Sequence, residues 1–313
     1  MTTLLIRACE VQDDTLVDFL IDLGADPNKA VGESFPLLSA LKQGNLDLAQ
    51  QLVSKGASID RSLLETYVNK NDLETVEFLL QQGADPNQIG PCREPLLFSL
   101  IGRRKRELVR LFLKHNVNVN VATKTVSTIE KAIKFFDKEI FKDLLNGGLD
   151  VINGPRCEDA LSYAAKLGAT GAIEFLLKNG VDIDKLDRDE QTALMKVAQR
   201  GDTIMVDFLL KRNANPNMKS RREETALMLA AEHGYNPVIE MLLGSGADIN
   251  SRERRGETAL MRAAKCGRLS TVELLVERGA SWKLEDRDGK TASEYAISKN
   301  YQEIVEYFYS LEE

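Results

Sequence analysis

Residues 224–250 read ETALMLAAEHGYNPVIEMLLGSGADIN, and this stretch decides the fold. The Thr225 hydroxyl can accept from an unpaired backbone N–H, which suits it to cap a helix N-terminus. Leu227, Ala230 and Ala231 follow at helical spacing. Gly234 can take the left-handed conformation that ends a short helix. Val238, Ile239, Leu242 and Leu243 define a second helix, which Gly246 stops. Neither helix is long enough to be stable alone in water, so each must bury its apolar face against neighbours.

Those neighbours are copies of the same unit. Thr192, Thr225, Thr258 and Thr291 follow one another at steps of 33 residues, and so do Gly180, Asn213, Gly246 and Gly279. Two independent landmarks with one step mark a tandem repeat. A closing element recurs as Gly24-Ala25-Asp26, Gly56-Ala57-Ser58, Gly83-Ala84-Asp85, Gly246-Ala247-Asp248 and Gly279-Ala280-Ser281. With these motifs the sequence resembles the ankyrin repeat family along essentially its whole length. The resemblance implies an all-α ankyrin-repeat solenoid of stacked helix-turn-helix units with β-hairpin-like finger loops. It divides the chain, as a single domain over 1–313, into repeats near 2–31, 32–60, 61–88, 89–121, 122–153, 154–186, 187–219, 220–252, 253–285 and 286–313.

Departures from the family pattern carry expectations of their own. The family's opening Pro is Ala at Ala193, Ala226 and Ala259, and its His is Met at Met195, Met228 and Met261. Where that His joins a hydrogen-bond network in the family, apolar packing must substitute here. From Gly56 to Gly83 the step is only 27, which places a shortened finger between Asp60 and Ser62. Phe135, Phe136 and Phe141 predict a bulky or bent junction. Ile304 to Tyr309 mixes aromatics with acids, as expected of a terminal cap with one wet face.

Composition narrows the function. The chain has 313 residues, 43% hydrophobic and 28% charged, with a net charge of -7. An acidic balance disfavours a nucleic-acid partner, since phosphate contacts need a basic field. No apolar run approaches the roughly 20 residues that span a bilayer, and no signal-peptide core follows Met1, so a cytoplasmic location is expected. Cys9, Cys92, Cys157 and Cys266 form no CxxC pair and read as free thiols in a reducing compartment. His115 and His233 lie repeats apart, and no phosphate loop or HExxH motif occurs. No catalytic residue, metal or cofactor is therefore assigned, and the chain is not read as an enzyme.

What remains is recognition, through positions free to vary inside a fixed frame. The finger tips align as Leu186-Asp187-Arg188-Asp189, Lys219-Ser220-Arg221-Arg222, Arg252-Glu253-Arg254-Arg255 and Glu285-Asp286-Arg287-Asp288. Arginine suits bidentate recognition of carboxylates. The column Arg188, Arg221, Arg254 and Arg287, with Lys219, Arg222, Arg252 and Arg255, is thus expected to meet an acidic segment of a protein partner. The competing reading is a solvated tip paired to neighbouring acids. On the first helices Phe98, Tyr163, Leu229, Arg262 and Tyr295 are expected to face outward as contact residues, against a competing reading of inter-repeat packing. The run from Gly102 to Arg106, with Arg110, reads as a solvated face. The resemblance also implies that Asn28, Asn87, Asn120, Asn217 and Asn250 could be hydroxylated by a 2-oxoglutarate-dependent oxygenase, whereas by residue type Asn there caps the turn into the finger. The expectation is a monomeric protein-binding scaffold or adaptor. An inhibitor or secreted effector that blocks a partner's site and a structural spacer stand as alternatives.

Overall fold

A computed structural model of the protein describes residues 2–90 and 92–311; the last two residues of the final expected repeat, Glu312 and Glu313, lie outside them. The contacts divide the chain into two compact units, up to Leu149 and from Asp150 onward. The first contains α1 (Thr2–Glu10), α2 (Asp14–Asp22), α3 (Pro36–Lys42), α4 (Leu46–Ser54), α5 (Arg61–Lys70), α6 (Leu73–Gln81), α7 (Leu96–Gly102), α8 (Arg106–Lys114), α9 (Thr128–Lys134) and α10 (Lys138–Asn146). The second contains a 3-10 turn at Cys157–Asp159, then α11 (Ala160–Lys166), α12 (Thr170–Lys178), α13 (Ala193–Arg200), α14 (Thr203–Leu210), α15 (Ala226–His233), α16 (Asn236–Gly244), α17 (Ala259–Lys265), α18 (Leu269–Glu277), α19 (Ala292–Ser298) and α20 (Gln302–Ser310).

Several helices begin at a capping side chain or end at a left-handed residue. Thr192, Thr225, Thr258 and Thr291 accept from the amides of Met195, Met228, Met261 and Glu294, as expected of N-caps. Gly234 ends α15 at φ +80°. Asp60 caps α5 directly through Ser62 N, so the missing residues of the short repeat are indeed those of its finger.

Helices of seven to ten residues gain their stability from packing. In the second unit α13, α15, α17 and α19 stack on one another, and α14, α16, α18 and α20 form a second layer. Leu194, Leu227 and Leu260 fill the space between layers and are buried. Burying one such side chain contributes roughly 1.5–3 kcal/mol. The Met195, Met228 and Met261 column is buried too, and the apolar substitution is not its whole role. Thr258 N lies 3.4 Å from Met261 Sδ, so the thioether accepts a weak hydrogen bond at the cap.

The fingers are tight turns rather than strands. Among the described residues only isolated bridges occur, at Val31–Ser34, Ile89–Pro95 and Ala122–Ser127. In the first unit Phe136 packs edge-on to the buried Phe141 with ring centroids 6.1 Å apart. The unit boundary falls just beyond that aromatic segment.

Candidate functional site

The second column of the finger tips faces inward. Asp187, Ser220, Glu253 and Asp286 are buried. Each accepts from two amides of its own loop: Asp286 from Asp288 N at 2.9 Å and Lys290 N at 2.8 Å, Glu253 from Arg255 N at 2.6 Å and Glu257 N at 3.1 Å. These bonds fold each tip so that the next residue, Arg in all four, points out. Successive tips are also tied through backbone, Arg254 N to Arg222 O at 3.0 Å and Arg287 N to Arg255 O at 2.9 Å. The backbones that carry Arg221, Arg254 and Arg287 are therefore held in register.

Beneath the tips of the second unit lies an open groove of about 560 Å³, lined by Arg222, Glu224, Glu232, Glu253, Arg254, Arg255, Glu257, Arg262, Lys265 and Cys266. Its floor is an ion network centred on Arg262 of α17. That guanidinium donates to Glu224 at 2.7 Å and to Glu232 at 3.0 Å, and its Nε lies 3.9 Å from Glu257. Burial opposes the Arg262 charge, but Glu224, Glu232 and Glu257 outweigh it and hold the pKa above the ordinary arginine value. Lys265 donates to Glu257 at 2.6 Å. The Tyr295 hydroxyl donates to Asp286 at 2.6 Å and lies 3.0 Å from Glu257. Burial, together with Asp286 and Glu257, pushes that hydroxyl's pKa well up. Burial raises the Asp286 pKa, but the Tyr295 hydroxyl and the loop amides bring it below its ordinary value.

This arrangement revises the expected contact residues on the first helices. Leu229 and Tyr295 are buried because the column they share points at the base of the finger rather than at solvent, and Phe98 is buried at the third position of its helix, the place Met228 holds in α15. In the second unit the same column is Lys196, Leu229, Arg262 and Tyr295, each 33 residues from the next. Lys196 reaches Asp187 at 3.2 Å and also pairs with Asp189; Arg262 takes Glu224, and Tyr295 takes Asp286. Tyr163 is half-buried. The signal was present, since Glu224 and Glu257 each precede a capping Thr at the same step, but the distance between helix and finger is not legible in one dimension.

The tip cations divide into two groups. Lys219 donates to Arg252 O at 3.0 Å, and Arg252 donates to Gly256 O at 3.2 Å and to Glu285 O, so both tie loops together. Arg188 sits 3.2 Å from Asp159, and Arg221, exposed, 3.5 Å from Glu190. Arg222, Arg254, Arg255 and Arg287 are exposed. In the first unit the basic run is solvated as expected, with Arg103, Arg104 and Arg110 exposed, and it is also engaged: Arg106 and Arg110 both hold Asp143, at 2.8 and 3.0 Å, and Arg103 donates to Asn69 at 2.7 Å.

The Asn column has a different role from the expected turn cap. The residue two places earlier caps the turn, as Asp248 does for Asn250 N at 3.0 Å. The Asn reaches the next repeat instead: Asn28 to Gly56 O at 2.8 Å, Asn120 to Gly148 O at 2.8 Å, and Asn250 to Ser281 N at 2.8 Å.

Short helix pairs, stacked in layers and tied by finger turns, define a helical repeat protein. The ankyrin repeats profile, built of three copies, matches residues 161–253 and 239–313, and the single ankyrin repeat profile matches 60–90; together they take in more than half of the chain. The chain belongs to the ankyrin repeat family. It is 27% identical over 130 residues to an ankyrin repeat-containing protein of Treponema pallidum (strain Nichols), covering 39% of this chain and 44% of that protein. It is 33% identical over 89 residues to the ankyrin repeat and KH domain-containing protein mask-1 of Caenorhabditis elegans, covering 26% of this chain and 3% of that protein. The chain thus spans less than half the length of either relative. Members of this family are in general protein–protein interaction modules and non-catalytic. Among the described residues no helix is long and apolar enough to cross a membrane.

Proposed function

We propose that this chain binds an acidic segment of a protein partner at the groove of its second unit, as a non-catalytic adaptor. Arg222, Arg254 and Arg255 at the rim take the partner's carboxylates, with Arg221 and Arg287 extending the cationic column. The supporting observation is that the groove is lined by five cations, Arg222, Arg254, Arg255, Arg262 and Lys265, against four carboxylates, Glu224, Glu232, Glu253 and Glu257, and that Arg262 and Lys265 hold Glu224, Glu232 and Glu257 at the floor while the rim arginines stay exposed. Arginine at such a rim raises the association rate and sets specificity through charge complementarity.

The test is titration of a fluorescein-labelled peptide rich in Asp and Glu, followed by anisotropy over a salt series. Binding is expected to weaken as salt rises. Arg254→Glu/Arg255→Glu is expected to weaken it by about 1–3 kcal/mol. Unchanged binding by that variant, with no added salt sensitivity, would remove the rim from the account.

A further inference from the structure

The first helix pair carries an apolar surface that later pairs lack. Leu16, the third residue of α2, is 39% exposed. The third residues of the later second helices in the same unit are Leu48, Thr75, Leu108 and Ile140, all at most 2% exposed. The cover at this position comes from the preceding pair. Ile140 is buried on α10, which packs on α8, and in the second unit Ile304 is buried on α20, which packs on α18. Among the described residues α2 has only α1 before it, and Leu16 stays open. Phe19 and Leu23 are 59% and 55% exposed, and Leu4 on α1 is 59% exposed. The spacing i, i+3, i+7 of Leu16, Phe19 and Leu23 lays them along one stripe of the helix.

The stripe lies in an acidic field. Between Thr2 and Leu23 the single cation is Arg7, 3.5 Å from Glu10, against Asp13, Asp14, Asp18 and Asp22 besides. Lys55 from the next pair reaches Asp18 at 3.5 Å and Asp22 at 3.1 Å. A second copy of the same face would bring like charge onto like charge. A helix with basic margins matches both the apolar stripe and the field, and it continues the helix-on-helix stacking already seen inside the unit.

We propose that the open face of α1–α2 docks an amphipathic helix of a partner, its apolar stripe bordered by Lys or Arg. This surface is separate from the groove of the second unit and does not depend on it.

The full chain is titrated into a labelled model helix of about 18 residues, long enough to hold helical structure on binding, built from Leu at i, i+3, i+4, i+7 and Lys elsewhere. A second helix carries Glu in place of Lys. The lysine helix should bind saturably, and Leu16→Ser/Phe19→Ser should weaken it at least about tenfold by removing apolar contact. That variant keeps every charge and replaces exposed side chains; far-UV circular dichroism checks its fold, and Leu4→Ser gives a second, independent reading. Three outcomes would overturn the proposal: equal binding of the lysine helix by variant and parent, equal binding of the glutamate helix, or self-association of the parent chain that Leu16→Ser/Phe19→Ser abolishes.

Discussion

Asn217 is bonded across the repeat boundary to Asp248: its Oδ1 accepts from Asp248 N at 2.7 Å while its Nδ2 donates to Gly246 O at 2.9 Å. One amide side chain thus satisfies both a donor and an acceptor in the closing turn of the next repeat. Asn217→Ala should cost about 1–3 kcal/mol, since two hydrogen bonds at net values of roughly 0.5–1.5 kcal/mol each are lost. Asn217→Asp keeps the acceptor and loses the donor, and should fall between. Urea denaturation followed by circular dichroism checks both; no difference between Asn217→Ala and the parent would mean the link is not energetically coupled.

Arg262 is a second point where neighbouring repeats depend on one side chain. Arg262→Met removes the guanidinium and leaves Glu224 desolvated without its cation, while Glu257 keeps Lys265. A cost of about 2–4 kcal/mol is expected for breaking a buried pair from one side. Glu224→Gln in the same chain should recover part of it, because one uncompensated charge disappears. Urea midpoints of the two single variants and the double variant give the coupling; strict additivity would contradict it.

Acid should weaken the first unit through Asp143. Burial raises that carboxyl's pKa, but Arg106 and Arg110 outweigh it and hold the value below the ordinary aspartate value of 3.8. A folded pKa below the unfolded one stabilises above the unfolded value and is lost as pH falls through the folded value. Asp143→Asn should therefore be less stable than the parent at pH 7, and the gap should narrow only as pH falls below the ordinary aspartate value and through the lower folded one. A gap that does not narrow at all as acid is added would assign the effect to packing instead.

The cysteines should separate by burial. Cys92 is exposed, whereas Cys9 and Cys157 are buried. Burial, reinforced by Asp14, pushes the Cys9 thiol up to about 12, so little thiolate exists there at neutral pH. A thiol-reactive dye at pH 7.5 should label Cys92 first and leave Cys9 unmodified until denaturant is added. Equal labelling of Cys9 in the native chain would place its helix pair in a looser state.

The repeat step was legible in the sequence because landmarks such as Thr225 and Gly234 are dictated by backbone chemistry, capping at one and left-handed φ at the other. The finger tips were legible as an Arg column for the same reason of spacing. The inward column was not. Lys196, Leu229, Arg262 and Tyr295 have no common chemistry, and only three dimensions show that each points at a finger base where three of the four find an acid. The Asn column was visible but misread, since a turn cap and an inter-repeat link use the same residue type. Leu16 carried no mark in the sequence, because an apolar residue at this position is ordinary in most of the other pairs.

The most direct measurement is removal of residues 187–219, one full step of the repeat. The deletion leaves the groove residues from Arg222 to Cys266 in place and sets Asp184, which already accepts from Asn215 N at 2.9 Å, in the position Asn217 holds against Asp248. If stability passes from each pair to its neighbours, the shortened chain folds cooperatively with the same helical signal per residue, a lower melting temperature and intact binding of the acidic peptide. A control deletion of about half that length breaks the register and should not fold. Equal collapse of both chains would contradict the account.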